Sequence, residues 1–225
     1  MFAKTTSRWL CTTALLAAPL MAQAVDGITD AANDFLPTFA GSVNSKDLDV
    51  ISANVLYDIN TNLFSITAMM AGNIGLTPTG FYVWGVNRGA GTAAFAANGI
   101  PGVRFDSVVV LRPTGASTAG GVALAPSAIT IVGKTITAVV SGTVLPSNGF
   151  TNKLDFTWNL WPRDGAVGSG FTQISDFAPD NANFSSTAGT VLVPVPEPQA
   201  LALLLSGLGM VVWTARRRSQ CSVRC

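Results

Sequence analysis

The stretch LDVISANVLY-DINTN-LFSITAMMA, Leu48 to Ala71, decides the fold. In its second half Phe64, Ile66, Ala68 and Met70 alternate with Ser65, Thr67 and Met69, and a period of two belongs to a strand with one buried face. The first half is rich in β-branched and apolar residues, and the Asp/Asn-rich link between the halves is turn material. The two halves therefore read as a β-hairpin.

Outward from this hairpin the chain keeps the same style. Phe81 to Asn87 (FYVWGVN) reads as a strand ended by Arg88-Gly89-Ala90-Gly91, and Arg104 to Leu111 as another closed by Pro113. Ser127 to Val132 and Thr135 to Val144 flank Gly133-Lys134, a two-residue hairpin signal. Lys153 to Trp161 alternates Leu154, Phe156, Trp158 and Leu160 against Asp155, Thr157 and Asn159. Shorter strands are expected at Gly170 to Ile174 and Thr190 to Val193, and a flexible surface loop at Thr114 to Ala125. Only Asp30 to Phe35 and Ala93 to Asn98 suggest short helical pieces. About seven to nine short strands separated by turns predict an all-β domain, an antiparallel β-sandwich or jelly roll.

Both ends of the chain depart from this pattern. Lys4 and Arg8 form a positive n-region, Trp9 to Leu20 an apolar h-region, and Ala22-Gln23-Ala24 a small-x-small cleavage site, the order of a secretory signal. Residues 1–24 are thus expected to be a signal helix handled by the secretion translocon and signal peptidase, with the mature chain starting at Val25. At the other end, Val193-Pro194-Val195-Pro196-Glu197-Pro198 cannot be helical, because each proline lacks an N–H and pushes its predecessor to extended geometry. Residues 194–199 form this proline-rich linker. Ala200 to Ala215 carries no charge, and as a helix would run about 24 Å, short against a hydrocarbon core of ~30 Å. Arg216, Arg217 and Arg218 follow. A basic cluster there acts as a positive-inside stop, holding residues 216–225 in the cytoplasm. The expectation is a single C-terminal transmembrane helix in type I orientation.

Pro196-Glu197-Pro198, the Leu/Gly-rich apolar span and Arg216 to Arg218 together resemble the PEP-CTERM sorting signal of Gram-negative bacteria. The resemblance covers only the last part of the chain. It implies recognition by exosortase, removal of the C-terminal helix, and export to the cell surface or an extracellular matrix of exopolysaccharide and biofilm. The tail Ser219 to Cys225 departs from it, since such signals usually end just after the arginines.

Residues 25–193 are long enough for one domain with its own core. The chain has no His and three Cys, all outside that segment, so Ser-His-Asp and Cys-His sites and histidine zinc sites are excluded from the domain. With no disulfide available, an exported domain must hold itself together by burial. All acids but Glu197 are Asp, and between 25 and 193 they outnumber Lys and Arg, a balance that argues against nucleic acid as partner. No catalytic residue, metal ligand or cofactor is assigned.

Two binding chemistries stay open. Asp26 to Asp34 and Asp176 to Asn183 each cluster oxygen donors in loop-like sequence, the material of a calcium site and equally of Asx-turns and caps. Trp84 with Tyr82, and Trp161, would stack on sugar rings if exposed and otherwise belong to the core; Trp158, in register with Phe156 and Leu160, is core. The expected function is that of an exported, non-enzymatic surface or extracellular-matrix protein. The alternative is a carbohydrate- or calcium-binding β-sandwich.

Overall fold

The computed structural model describes residues 27–192. The expected signal helix with Ala22, Ala24 and Val25, the transmembrane segment, and the sorting residues Pro196 to Pro198 and Arg216 to Arg218 lie outside them. Among the described residues no helix is long and apolar enough to cross a membrane.

In chain order the strands are β1 (Ile28–Thr29), β2 (Val50–Asp58), β3 (Leu63–Met70), β4 (Gly80–Asn87), β5 (Ser107–Leu111), β6 (Thr118–Ala119), β7 (Val122–Ala123), β8 (Ile129–Val132), β9 (Thr135–Ser141), β10 (Thr157–Asp164), β11 (Phe184–Ser185) and β12 (Thr187–Ala188). One sheet runs β1-β2-β3-β9-β8, with β12 pairing parallel to β2; the other runs β11-β10-β4-β5-β6-β7. Every pairing but β12 with β2 is antiparallel. The expected all-β sandwich is the observed fold.

The hairpin pairs as its alternation requires. Phe64, Ile66, Ala68 and Met70 of β3 are all buried. On β2 a register shift between Val50 and Ser52 changes the parity of the strand. That bulge lets Val50 join Ala53, Val55 and Tyr57 in the core, where an unbroken pleat would turn it outward. Opposite them stand Tyr82, Trp84 and Val86 of β4, with Trp158 and Leu160 of β10. Phe64 sits at the centre, its ring 4.7 Å from that of Tyr57, 5.3 Å from Trp158 and 5.8 Å from Phe156. Trp158 donates its Nε1–H to Ser186 Oγ at 2.8 Å, and the Tyr82 hydroxyl donates to the Asp47 carbonyl at 2.8 Å, so both polar tips are satisfied inside the core.

A second core lies on the outer face of the β4 sheet. Val83 and Trp161 point there, and the loops before β5 and after β10 cover them with Phe95, Val103, Phe105, Phe171, Ile174 and Phe177. Trp161 packs with ring centroids 5.0 Å from Phe105, 5.2 Å from Phe95 and 5.8 Å from Phe177. Trp84 is 0% and Trp161 2% exposed. The aromatic sugar platform considered from the sequence is therefore ruled out: both faces of β4 and β10 are covered, and no face is left for a ring to stack on.

Several expected elements are redrawn. Lys153–Asp155 form a 3-10 turn capped by the Asn152 side chain, and the strand begins at Thr157. It continues through Pro162, whose carbonyl accepts from Ser175 N–H at 3.1 Å. In a strand a residue's N and C=O point to the same side, so the missing proline donor faces that segment and not β4. Gly170–Gln173 is a 3-10 turn, not a strand, closed by reciprocal Ser169 and Thr172 bonds. Thr190 to Leu192 form no strand. The expected loop Thr114 to Ala125 contains the β6–β7 hairpin, whose Gly120 and Gly121 have φ of 55° and 82°, as a two-residue turn of this kind needs. Asp30 to Phe35 is not helical, and of Ala93 to Asn98 only Ala96–Asn98 makes a 3-10 turn.

The closest fit in the second core is at Gly85. A Cβ there would fall 2.4 Å from the Trp161 ring. Gly85→Ala is expected to destabilise the protein by about 1–3 kcal/mol through overpacking, read as a lower denaturant midpoint at unchanged m-value. Wild-type stability would mean that Trp161 can shift freely.

Candidate metal centre

Five aspartates from three separate segments converge at one edge of the sandwich. Asp30 and Asp34 follow β1, Asp49 immediately precedes β2, and Asp176 and Asp180 lie in the loop between β10 and β11. Asp30, Asp34 and Asp180 each bring a carboxylate oxygen within 4.8 Å of the others', and so do Asp34, Asp49 and Asp176. Asp34 belongs to both groups.

Backbone hydrogen bonds fix each member. Asp30 N–H donates to Ile51 C=O at 2.8 Å, continuing the β1–β2 ladder. Asn33, at φ 70°, turns the chain back so that its N–H reaches both Asp49 oxygens at 3.1 and 3.0 Å. Asp176 accepts from Val50 N–H at 2.9 Å and from Phe177 N–H at 2.7 Å. Its neighbour Ser175 donates through Oγ to Leu48 C=O and accepts at its own carbonyl from Leu36 N–H. The loop carrying Asp176 is thereby tied to both other segments. Accessibility grades across the cluster: Asp49 and Asp176 are each 1% exposed, Asp30 and Asp34 are half-buried, and Asp180 stands open to solvent.

Among the described residues no basic side chain forms an ion pair with these acids. The one ion pair among the described residues is Arg88 with Asp106, elsewhere in the fold. Lys46, the nearest lysine in the chain, donates to Asn33 Oδ1 and Val43 C=O, both at 2.6 Å, and sits over the Phe35 ring. Asp30 Oδ2 and Asp34 Oδ1 are sealed from solvent and have no hydrogen-bond partner. A buried oxygen of this kind calls for an ion or water to satisfy it. The electrostatic cost appears in the acidities. Burial, then Asp34 and Asp180, push the Asp30 carboxyl up to about 7. Burial also pushes Asp176 up to about 8, with Asp30 and Asp34 adding and the Val50 N–H opposing. Asp34 is raised too, chiefly by burial.

The donors are all oxygens. That set suits a hard cation such as Ca²⁺ and not one that prefers nitrogen or sulfur. The two Asp/Asn-rich loops, separate in sequence, contribute parts of each to one cluster in the fold. Asn181 and Asn183 serve other ends: their Oδ1 atoms accept from Gly102 and Arg104 N–H and hold the loop before β5. Asp26 lies outside the described residues. Asp49 was missed, having been read as part of a strand. Its signal was an acid between Leu48 and Val50 in an otherwise apolar run.

Comparison with known proteins adds the chain's other functional element. The profile of the PEP-CTERM protein-sorting motif matches residues 194–218. No curated protein and no solved structure matches the chain.

The weakened acidity of these carboxyls fixes a pH dependence for the protein in EDTA. A carboxyl held at about 7 or 8 when folded and near ~4 when unfolded binds more protons in the folded state between those values, so stability falls as pH rises. The melting temperature in EDTA is expected to drop between pH 5 and pH 8.5 and then level off. A flat or rising profile would contradict the clustering.

Proposed function

We propose, from the sorting motif at residues 194–218, that this is an exported, non-enzymatic protein of the cell surface or extracellular matrix. The motif is the recognition signal for exosortase, and it directly follows the all-β domain. On this reading the translocon carries the N-terminus across, and signal peptidase cuts between Ala24 and Val25. The span Ala200 to Ala215 holds the chain in the membrane until exosortase cuts near Pro196-Glu197-Pro198. The domain is then delivered to the surface or to the exopolysaccharide of a biofilm matrix.

The non-enzymatic reading draws on where the charges lie. A cleft of about 570 Å³ among the described residues is lined by Arg112, Pro113, Ser117, Leu124, Ile129 and Ile131 among others, and by no acid. The clustered aspartates do not line it. A two-carboxylate hydrolysis site needs its acids to flank a bound substrate, and these acids face one another.

Three measurements test the reading. In a host that carries exosortase, the intact mass should correspond to a chain starting at Val25 and ending near Pro198. Replacing Pro196, Glu197 and Pro198 by alanine should leave the C-terminal segment attached and the protein in the membrane fraction. An unprocessed C-terminus in the unaltered chain would overturn the sorting route. The exported protein should sediment with extracellular polysaccharide and release no new reducing ends from it; such release would overturn the non-enzymatic reading.

A further inference from the structure

We propose that Asp30, Asp34 and Asp180 bind a calcium ion, with Asp49 and Asp176 forming the buried acidic floor beneath it. The inference deepens the export reading and depends on it only for where the ion is met.

Acidity alone does not carry it. Asp30 and Asp34 belong to the same group of three, and each has one carboxylate oxygen, Asp30 Oδ2 and Asp34 Oδ1, that is closed off from solvent and receives no hydrogen bond. The floor beneath them is two carboxylates, each 1% exposed, with no Lys or Arg in an ion pair with them among the described residues. The carboxylate oxygens of Asp49 and Asp176 come within 4.8 Å of each other and of Asp34's, so ionising them together is costly unless a cation is present. Oxygens within 4.8 Å of each other match the spread allowed around one ion with Ca–O distances of about 2.3–2.6 Å. Asp180, open to solvent, gives the ion a way in and leaves room for water to complete the 6–8 oxygens that calcium takes.

The structural consequence is a clamp. The ion would join the segment after β1 to the loop after β10, the same two segments already linked by Leu36 N–H to Ser175 C=O at 2.8 Å. Both contribute to the cover of the second core, through Leu36 on one side and Ile174 and Phe177 on the other. Calcium binding would therefore stiffen the cover over Trp161.

The test uses the exported protein, stripped with EDTA and titrated with CaCl₂ by calorimetry and thermal melting. A Kd between about 1 μM and 1 mM is expected. The melting temperature should rise by roughly 5–10 °C at ~100 times that concentration, and equal MgCl₂ should give a much smaller rise. Asp34→Asn should abolish the calcium shift while melting in EDTA no lower than the unaltered protein, because it removes a repelling charge; Asp155→Asn, an exposed acid elsewhere, should keep the shift. No heat and no shift at 10 mM CaCl₂, or an undiminished shift in Asp34→Asn, would overturn the site. Binding with an unprocessed C-terminus would leave the site standing and overturn the sorting route instead.

Discussion

Trp161 lying on Gly85 is the contact on which the rest of the architecture turns. It makes the outer face of the β4–β10 pair apolar, and an apolar sheet face must be covered. Two loops and the segment after β1 do the covering, with Phe95, Phe105, Phe171, Phe177 and Leu36. Those loops are not free to wander once packed, so the acids they carry are brought to fixed places. Asp34 comes within reach of Asp176 because hydrophobic burial a few residues away holds both backbones there. The like charges are an outcome of the packing and are held against their own repulsion.

The sequence made the sandwich legible and the cover illegible, for physical reasons. In β3 one face is buried and one is half-exposed, so the alternation of Phe64, Ile66, Ala68 and Met70 could be read directly. The Gly133-Lys134 turn announced its hairpin in the same way. In β4, and in β10 from Trp161 on, both faces are covered and no alternation marks the outer face, so Trp84 and Trp161 gave no sign of which environment each would find. The 3-10 turn at Gly170–Gln173 sets Phe171 just ahead of Ile174, a spacing that in sequence passes for a short strand; only Gly170, at φ 58°, hints otherwise.

The site divides along the same line. Two of its loops were visible as Asp-dense sequence, since oxygen donors in turns are local. That they meet is a long-range fact, with Asp30 and Asp180 far apart in the chain, and no local pattern encodes it. Asp49 was hidden because an acid at the end of an apolar run looks like an exposed strand residue. In the fold it is one of the most buried acids, fixed by the Asn33 N–H.

The end of the domain has a geometric consequence of its own. Val191 N–H donates to Asp58 Oδ2 at 3.2 Å, and β12 is paired to β2, so the last described residues are pinned to the sheet. From Leu192 to Pro196 the backbone reaches at most about 14 Å however it is arranged. The folded domain and the sorting motif are thus joined by a short tether. An enzyme that reads Pro196-Glu197-Pro198 therefore has to work within that reach of the folded domain. The standoff is a ruler built from the fold, and inserting residues after Leu192 would lengthen it without touching the recognition sequence.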